Sequence, residues 1–187
     1  MATLYINASR IKKDTALGSA VDDNLLHPYI LIAQDRWILP ALGTDLDEKL
    51  KQDIIDSTLT GNYETLVTEY IQPCLVQLAF AEVAPVMRLR FSNNSVTLID
   101  NEQGTSASLN DIKMVVNKAT EIGMFYRSRL VDYLCHNTGL FPEYSTNTGA
   151  DLHPSKHNYF GNLNVDRERF RSKQLEAIAS AIGVKDY

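Results

Sequence analysis

The chain has 187 residues, of which 44% are hydrophobic and 22% charged, and its 18 Lys plus Arg against 23 Asp plus Glu give a net charge of −5. That length fits one domain with an appended arm, the apolar share suffices for a core, and the charge is too low for a disordered chain. The acidic balance argues against sequence-independent DNA wrapping, because phosphate contacts carry most of that affinity and require cations.

Leu4-Tyr5-Ile6 reads as a short β-like start, followed by a polar segment to Gly18-Ser19. Asp22-Asp23-Asn24 supplies N-cap candidates for a helix over 24–39, with Leu26, Tyr29, Ile30, Ala33 and Trp37 on one stripe. Pro28 lies near its first turn, and Pro40 with Gly43 closes it. Thr44 and Asp47 resemble a capping box for a second helix over 45–58, and Thr60-Gly61-Asn62 breaks the chain.

A third helix is predicted over 63–91, with the broad apolar face of a bundle centre and with Pro73 and Pro85 predicting kinks or a break near 85. Ser95–Ile99 and Thr105–Leu109 flank Asp100-Asn101-Glu102-Gln103-Gly104 and predict a β-hairpin over 95–109. The strongest periodicity follows, a fourth helix over 110–136, ended by Gly139 and Pro142. From 141 to 165 the composition turns to Asn, Thr, Gly, Ser, His and Pro, with Tyr144, Tyr159 and Phe160 as large anchors, and reads as an extended arm outside the core. A last helix is predicted over 166–182. The expected fold is therefore mainly α: about four helices, a β-hairpin between the third and fourth, and a C-terminal arm and helix over 141–187 following a helical domain over 1–140.

Charge is uneven along this plan. Residues 1–110 carry a net −6 and residues 111–187 a net +1. The two cysteines, Cys74 and Cys135, form no disulfide framework and no C-x-x-C pair, as suits a reducing cytoplasm. The N-terminus lacks a signal-peptide pattern, and no segment approaches the roughly 18–20 apolar residues of a membrane span, so a soluble intracellular chain is expected.

Residues able to carry chemistry are sparse. His153 and His157 have i, i+4 spacing, but Pro154 argues against a helix presenting both to a metal, and a solvated loop pair fits them better. Neither Glu-x-x-His, H-E-x-x-H nor a phosphate-cradling glycine motif occurs. Cys135 and His136 are adjacent and project to different sides, which suits a structural Cys and a surface His better than a catalytic couple. Glu64, Glu69 and Glu82 fit a solvated helix face better than general acids. Arg36 beside Trp37 and Asp35 can stack and pair at once, as helix-surface packing. No enzyme activity, cofactor or metal is expected. The remaining feature is Arg167-Glu168-Arg169-Phe170-Arg171-Ser172-Lys173, where four cations at a helix start oppose the macrodipole. Both a solvated first turn and a grip on phosphate or an acidic protein surface fit it.

The stretch Ala33-Gln34-Asp35-Arg36-Trp37-Ile38-Leu39-Pro40-Ala41-Leu42-Gly43-Thr44-Asp45-Leu46 resembles the head–tail connector proteins of tailed bacteriophages, the portal adaptor or ring proteins of crAss-like and related phages of Bacteroidetes. His157-Asn158-Tyr159-Phe160-Gly161-Asn162-Leu163 is similar to a late tail motif of that family, whereas the basic helix after it has no counterpart in the pattern. The resemblance implies a structural virion protein at the head–tail joint, a homo-oligomeric ring of about twelve subunits closed by heterologous contacts. The implied partners are the portal protein and other connector or tail rings. DNA would pass through the channel without sequence-specific binding. On this reading Tyr159, Phe160, Arg167, Arg169, Arg171 and Lys173 dock to the portal or the neighbouring ring, and Val96, Leu98, Asp100, Asn101 and Glu102 on the hairpin meet the ring or lumen. The alternative is a phage DNA-binding or packaging accessory protein that uses the basic helix 166–182.

Overall fold

The computed structural model describes residues 3–92, 95–98, 108–146, 148 and 151–155. The chain divides into two units, Met1–Lys156 and His157–Tyr187, and the first carries the architecture described below. The predicted helix 166–182 lies outside the described residues.

The unit is mainly helical. Helix α1, Ala8–Asp14, starts on Asn7, whose side chain accepts from the Arg10 N–H. It falls in the segment that reads as polar loop, because a single buried residue, Ile11, anchors it. Helix α2 begins on the cap Asp22 and runs Asp23–Ala33, then a π-helical turn Gln34–Ile38, then Leu39–Leu42. Helix α3 is Thr44–Ile55. Helix α4 repeats the plan of α2, with Gly61–Thr65, a π-helical turn Leu66–Ile71 and Gln72–Val83. Helix α5, Leu109–His136, is the longest, and Pro142–Ser145 forms the single turn α6.

Both π turns end two residues ahead of a proline, Pro40 in α2 and Pro73 in α4. The Leu39 N–H reaches the Gln34 carbonyl and the Gln72 N–H reaches that of Val67, each five residues back. A wider turn in front of proline relieves the clash of its ring with the preceding coil, where one hydrogen bond is lost in any case. Pro40 therefore does not close its helix as expected. Gly43 does, at φ 79° and ψ 161°.

Helix α4 is the centre of the bundle. Its last stretch buries Cys74, Leu75, Val76, Leu78, Ala79, Ala81 and Val83, so it is apolar nearly all round and needs neighbours on several sides. Helices α1, α2 and α5 supply them. It stops at Val83 and not at 91, two residues before Pro85. The tightest contact is with α5, where a Cβ on Gly123 would lie 2.6 Å from Leu78 Cγ and where Cys74 Sγ donates to the Gly123 carbonyl at 3.4 Å.

The expected hairpin over 95–109 is overturned. Ser95–Leu98 (β2) pairs backwards with Leu89–Ser92 (β1), with Leu89 opposite Leu98 and Ser92 opposite Ser95. Its supposed second arm ends in a helix start: Ser108 accepts from the Asp111 N–H while Asp111 accepts from the Ser108 N–H, a full capping box for α5. Polar Ser/Thr runs serve caps as readily as strands. Outside this one short ladder the described residues hold no strand, and the described core is built by helices and the segments that join them.

The reading of 141 onward as arm also changes. Phe141 and Tyr144 are fully buried. Phe141 meets Tyr63 and Tyr133 edge to face, and Tyr133 stacks on Tyr70 at 4.1 Å between ring centres.

The Gly123 contact yields a quantitative expectation. Gly123→Val, overpacking the α4–α5 crossing, should cost about 1–3 kcal/mol of unfolding free energy. Leu78→Ala in the same chain should return part of that loss. Urea denaturation followed by far-UV circular dichroism measures both.

Candidate functional site

The stretch 33–46, which carries the family resemblance, folds into a joint where both ends of the unit are fastened. Gln34 opens the first π turn and is buried. Its amide donates to the Thr3 carbonyl at 3.0 Å and accepts from the Tyr5 N–H at 3.2 Å. Gln72, just past the second π turn, donates to the Tyr5 carbonyl at 2.9 Å. Two glutamine side chains thus take the place of a partner strand for Leu4-Tyr5-Ile6. The Tyr5 hydroxyl donates to Asp47 Oδ1 at 2.8 Å, and Asp47 Oδ2 pairs with Lys51 at 2.6 Å. Burial first, then the Asp47 charge and that hydrogen bond, push the Tyr5 phenol well above its usual range.

The C-terminal strap crosses the other side of the joint. The Thr44 N–H donates to the Leu152 carbonyl at 3.0 Å, the Leu152 N–H returns to Thr44 Oγ1 at 2.9 Å, and the Ser155 N–H reaches the Pro40 carbonyl at 2.7 Å. Thr148 donates through N–H and Oγ1 to the two oxygens of Asp45, at 3.2 and 2.6 Å. Pro154 passes so close that a Cβ on Gly43 would sit 2.7 Å from its Cδ. The glycine is needed twice, for its backbone angles and for this approach. The expected capping box at Thr44 is therefore absent: Thr44 serves the strap, and Asp47 serves Tyr5 and Lys51.

Trp37, in the π turn, ties the joint to α4 and α5. Its indole N–H and Arg36 Nη1 both donate to Glu82 Oε1, at 3.0 and 2.9 Å, and Arg36 stacks over the indole. The Trp37 carbonyl accepts from Nε of the buried Arg127 at 3.2 Å. Stacking and pairing of Arg36 occur as the sequence suggests, but the carboxylate is that of Glu82 on α4.

Other residues of chemical interest stay apart. Cys135 Sγ lies 3.6 Å from the Tyr144 hydroxyl, whereas His136 Nδ1–H donates to the Asp132 carbonyl at 2.7 Å. His153 is exposed on the strap. Among the described residues no three His, Cys, Asp or Glu side chains gather into a metal cluster, and no helix is long and apolar enough to cross a membrane. Val96 and Leu98 stand on β2, facing Phe91 and Leu89 in the register. Asp100, Asn101, Glu102, His157, Tyr159, Phe160, Arg167, Arg169, Arg171 and Lys173 lie outside the described residues. Sequence reading assigns no role to Gln34, named only within the resembling stretch, and passes over Gln72, because a glutamine in a helix carries no mark of a long-range partner. A residue so placed beside a π turn has no counterpart in the 3.6-residue pattern.

Fold and joint together define a class: a small helical protein in which one stretch, 33–46, holds both the first residues and the 148–155 strap of its helical unit. A family profile matches residues 38–153, and the chain belongs to that family, a family of unknown function (DUF6712). The match begins within the first π turn and ends on the strap at residue 153, one short of the Pro154 that packs on Gly43. No curated protein and no solved structure matches the chain.

Two outcomes follow from this geometry. Gly43→Ala should cost at least about 1–3 kcal/mol through backbone strain alone. It should also release the strap, so that proteolysis between Thr146 and Lys156 quickens before the helices are cut. The second concerns alkali. Burial holds the Cys74 thiol at about 12 against an ordinary 9.0, and raises the Tyr5 phenol above its ordinary 10.0. The folded state thus keeps protons that the unfolded chain releases, so the stability these two groups contribute is fully present below pH 9.0 and falls as pH rises beyond it. Thermal melts across the alkaline range check the direction. At about pH 8 a thiol reagent should label the exposed Cys135 in the native protein and reach Cys74 only after denaturation.

Proposed function

We propose that this chain is a structural virion protein of a tailed phage, a subunit of an oligomeric ring at the head–tail joint. There it extends the portal, connects it to the tail and leaves a channel for DNA. The observation that carries this reading is the joint itself. Four residues of the stretch behind the resemblance to connector proteins, Gln34, Pro40, Gly43 and Thr44, fix backbone in place. A motif spent on fastening suits a mechanical part. A ring subunit needs a rigid body with segments fixed at defined points, so that contacts repeat identically around a closed circle.

Charge supports the same division of labour. The net −6 over residues 1–110 gives the body few partners for DNA phosphates, so passing DNA would not adhere to it. The cation-rich stretch Arg167–Lys173, with Tyr159 and Phe160 ahead of it, would dock to the portal or the next ring. On this reading the protein works without cofactor or catalysis, in the virion, after synthesis in the host cytoplasm.

The full-length chain, alone and mixed with the portal protein of the same phage, should give ring-shaped particles or portal-bound rings in negative-stain images. A chain that stays monomeric and leaves the portal bare overturns the reading. A salt-sensitive gel shift with DNA, abolished by Arg-to-Glu changes at Arg167, Arg169 and Arg171, would favour the packaging-factor reading instead.

A further inference from the structure

Two of the chain's nine tyrosines stand face to face where the second π turn of α4 meets α5. Tyr70 lies in that π turn and Tyr133 near the end of α5. Their ring centres are 4.1 Å apart and the planes are inclined by only 16°, so the two phenols overlap plane on plane. Arg129, one turn before Tyr133, lies 4.7 Å from the Tyr70 ring centre, and Phe141 meets Tyr133 edge to face. Both tyrosines are partly buried. Water and small solutes reach them, while their neighbours keep the rings of another molecule away. The other ring contacts among the described residues each join a tyrosine to a phenylalanine. Among those residues, therefore, this is the place where two phenols touch.

A phenol that loses one electron and its proton becomes a phenoxyl radical, whose unpaired electron spreads onto the ring carbons beside the oxygen. Two such radicals join at those carbons if they are held together long enough. Fixed proximity turns that encounter into an internal step.

We propose that Tyr70 and Tyr133 form an oxidative cross-linking site, coupling to a dityrosine when a one-electron oxidant reaches the protein. Each phenol gives one electron to an equivalent of oxidant and one proton to water. A carbon–carbon bond then forms between a Cε of Tyr70 and a Cε of Tyr133. The hydrogen on each joined carbon moves to the phenol oxygen, which restores both rings. Partly exposed side chains can make the small tilt that closes the gap between the stacked rings. The product resists thiols, unlike a disulfide, and it staples α4 to α5. A cross-link between residues so far apart in sequence restricts the unfolded chain and so favours the folded one. The site needs no second copy and stands apart from the ring reading.

The test illuminates the full chain with ruthenium tris(bipyridine) and persulfate, which accepts the two electrons and leaves as sulfate. Monomer recovered from a denaturing gel should carry dityrosine fluorescence, with a yield per chain that is unchanged on dilution. Digestion after aspartate and glutamate releases 70–82 and 133–143, each with a single tyrosine. Mass spectrometry should find these two joined and two hydrogens lighter than their sum. Tyr70→Phe and Tyr133→Phe keep a ring at each position, and circular dichroism checks that both variants fold. Each should remove most of the monomer's dityrosine fluorescence. The cross-linked monomer should melt at a higher temperature than the untreated chain. Other tyrosines joined within the monomer while 70–82 and 133–143 stay separate would overturn the proposal. So would a joined pair found in cross-linked dimers alone and fading on dilution. A chain that gives no dityrosine while free tyrosine couples in the same light overturns it as well.

Discussion

Proline inside a helix is the constraint around which this molecule is arranged. Pro40 and Pro73 each take a donor from the backbone ladder and crowd the turn before them. In both helices the backbone answers with a π turn ending two residues earlier. Those turns place Gln34 at the start of one and Gln72 just past the end of the other, where their amides reach the same short segment, residues 3–5. The Trp37 carbonyl, ahead of Pro40, faces Arg127 from α5. A local backbone problem thus becomes the means by which the N-terminus, α2, α4 and α5 are tied together. Buried polar groups fixed in this way, Gln34 and Asp47 among them, favour one arrangement over near alternatives, because each misplacement leaves a donor or acceptor stranded.

The parts legible in the sequence are those governed by local rules. Helix α5 follows from the spacing of its apolar residues, and the start of α2 from Asp22, whose side chain accepts from the Asn24 N–H. The position of Gly43 as a chain break is also readable, since glycine there follows a helix. Its second role is not, because Pro154 approaches from more than a hundred positions away. Likewise Thr44 and Asp47 have the spacing of a capping box, but a strap and a tyrosine compete for their oxygens and win. The hairpin reading failed on the same kind of competition: Ser108 and Asp111 close a helix cap, and Ser95–Leu98 finds its partner on the preceding side. Phe141 and Tyr144 lie in a stretch whose composition is that of a loop, and two aromatic side chains suffice to draw it into the core.

The residues that the sequence singles out as interaction sites, in 96–102 and 159–173, lie mostly outside the described residues. The 33–46 stretch stood out by resemblance, while its physical content is a set of hydrogen bonds to residues 3–5 and 148–155 that no local pattern announces. The buried polar groups of the joint, Gln34 and the neighbouring Asp47, are committed to backbone, tyrosine and lysine partners, so their polarity serves position.

The strap has a consequence for how the molecule is made. Thr148 and Leu152 meet Asp45 and Thr44 across sequence separations of 103 and 108 residues. Contacts of such separation form late, because the intervening chain must be ordered before they repay the loss of freedom. On a ribosome, α2 and α4 can assemble while the joint at Gly43 still lacks its cover. The last fastening waits until residue 155 has emerged. A translation product interrupted before residue 155 would therefore carry an open joint.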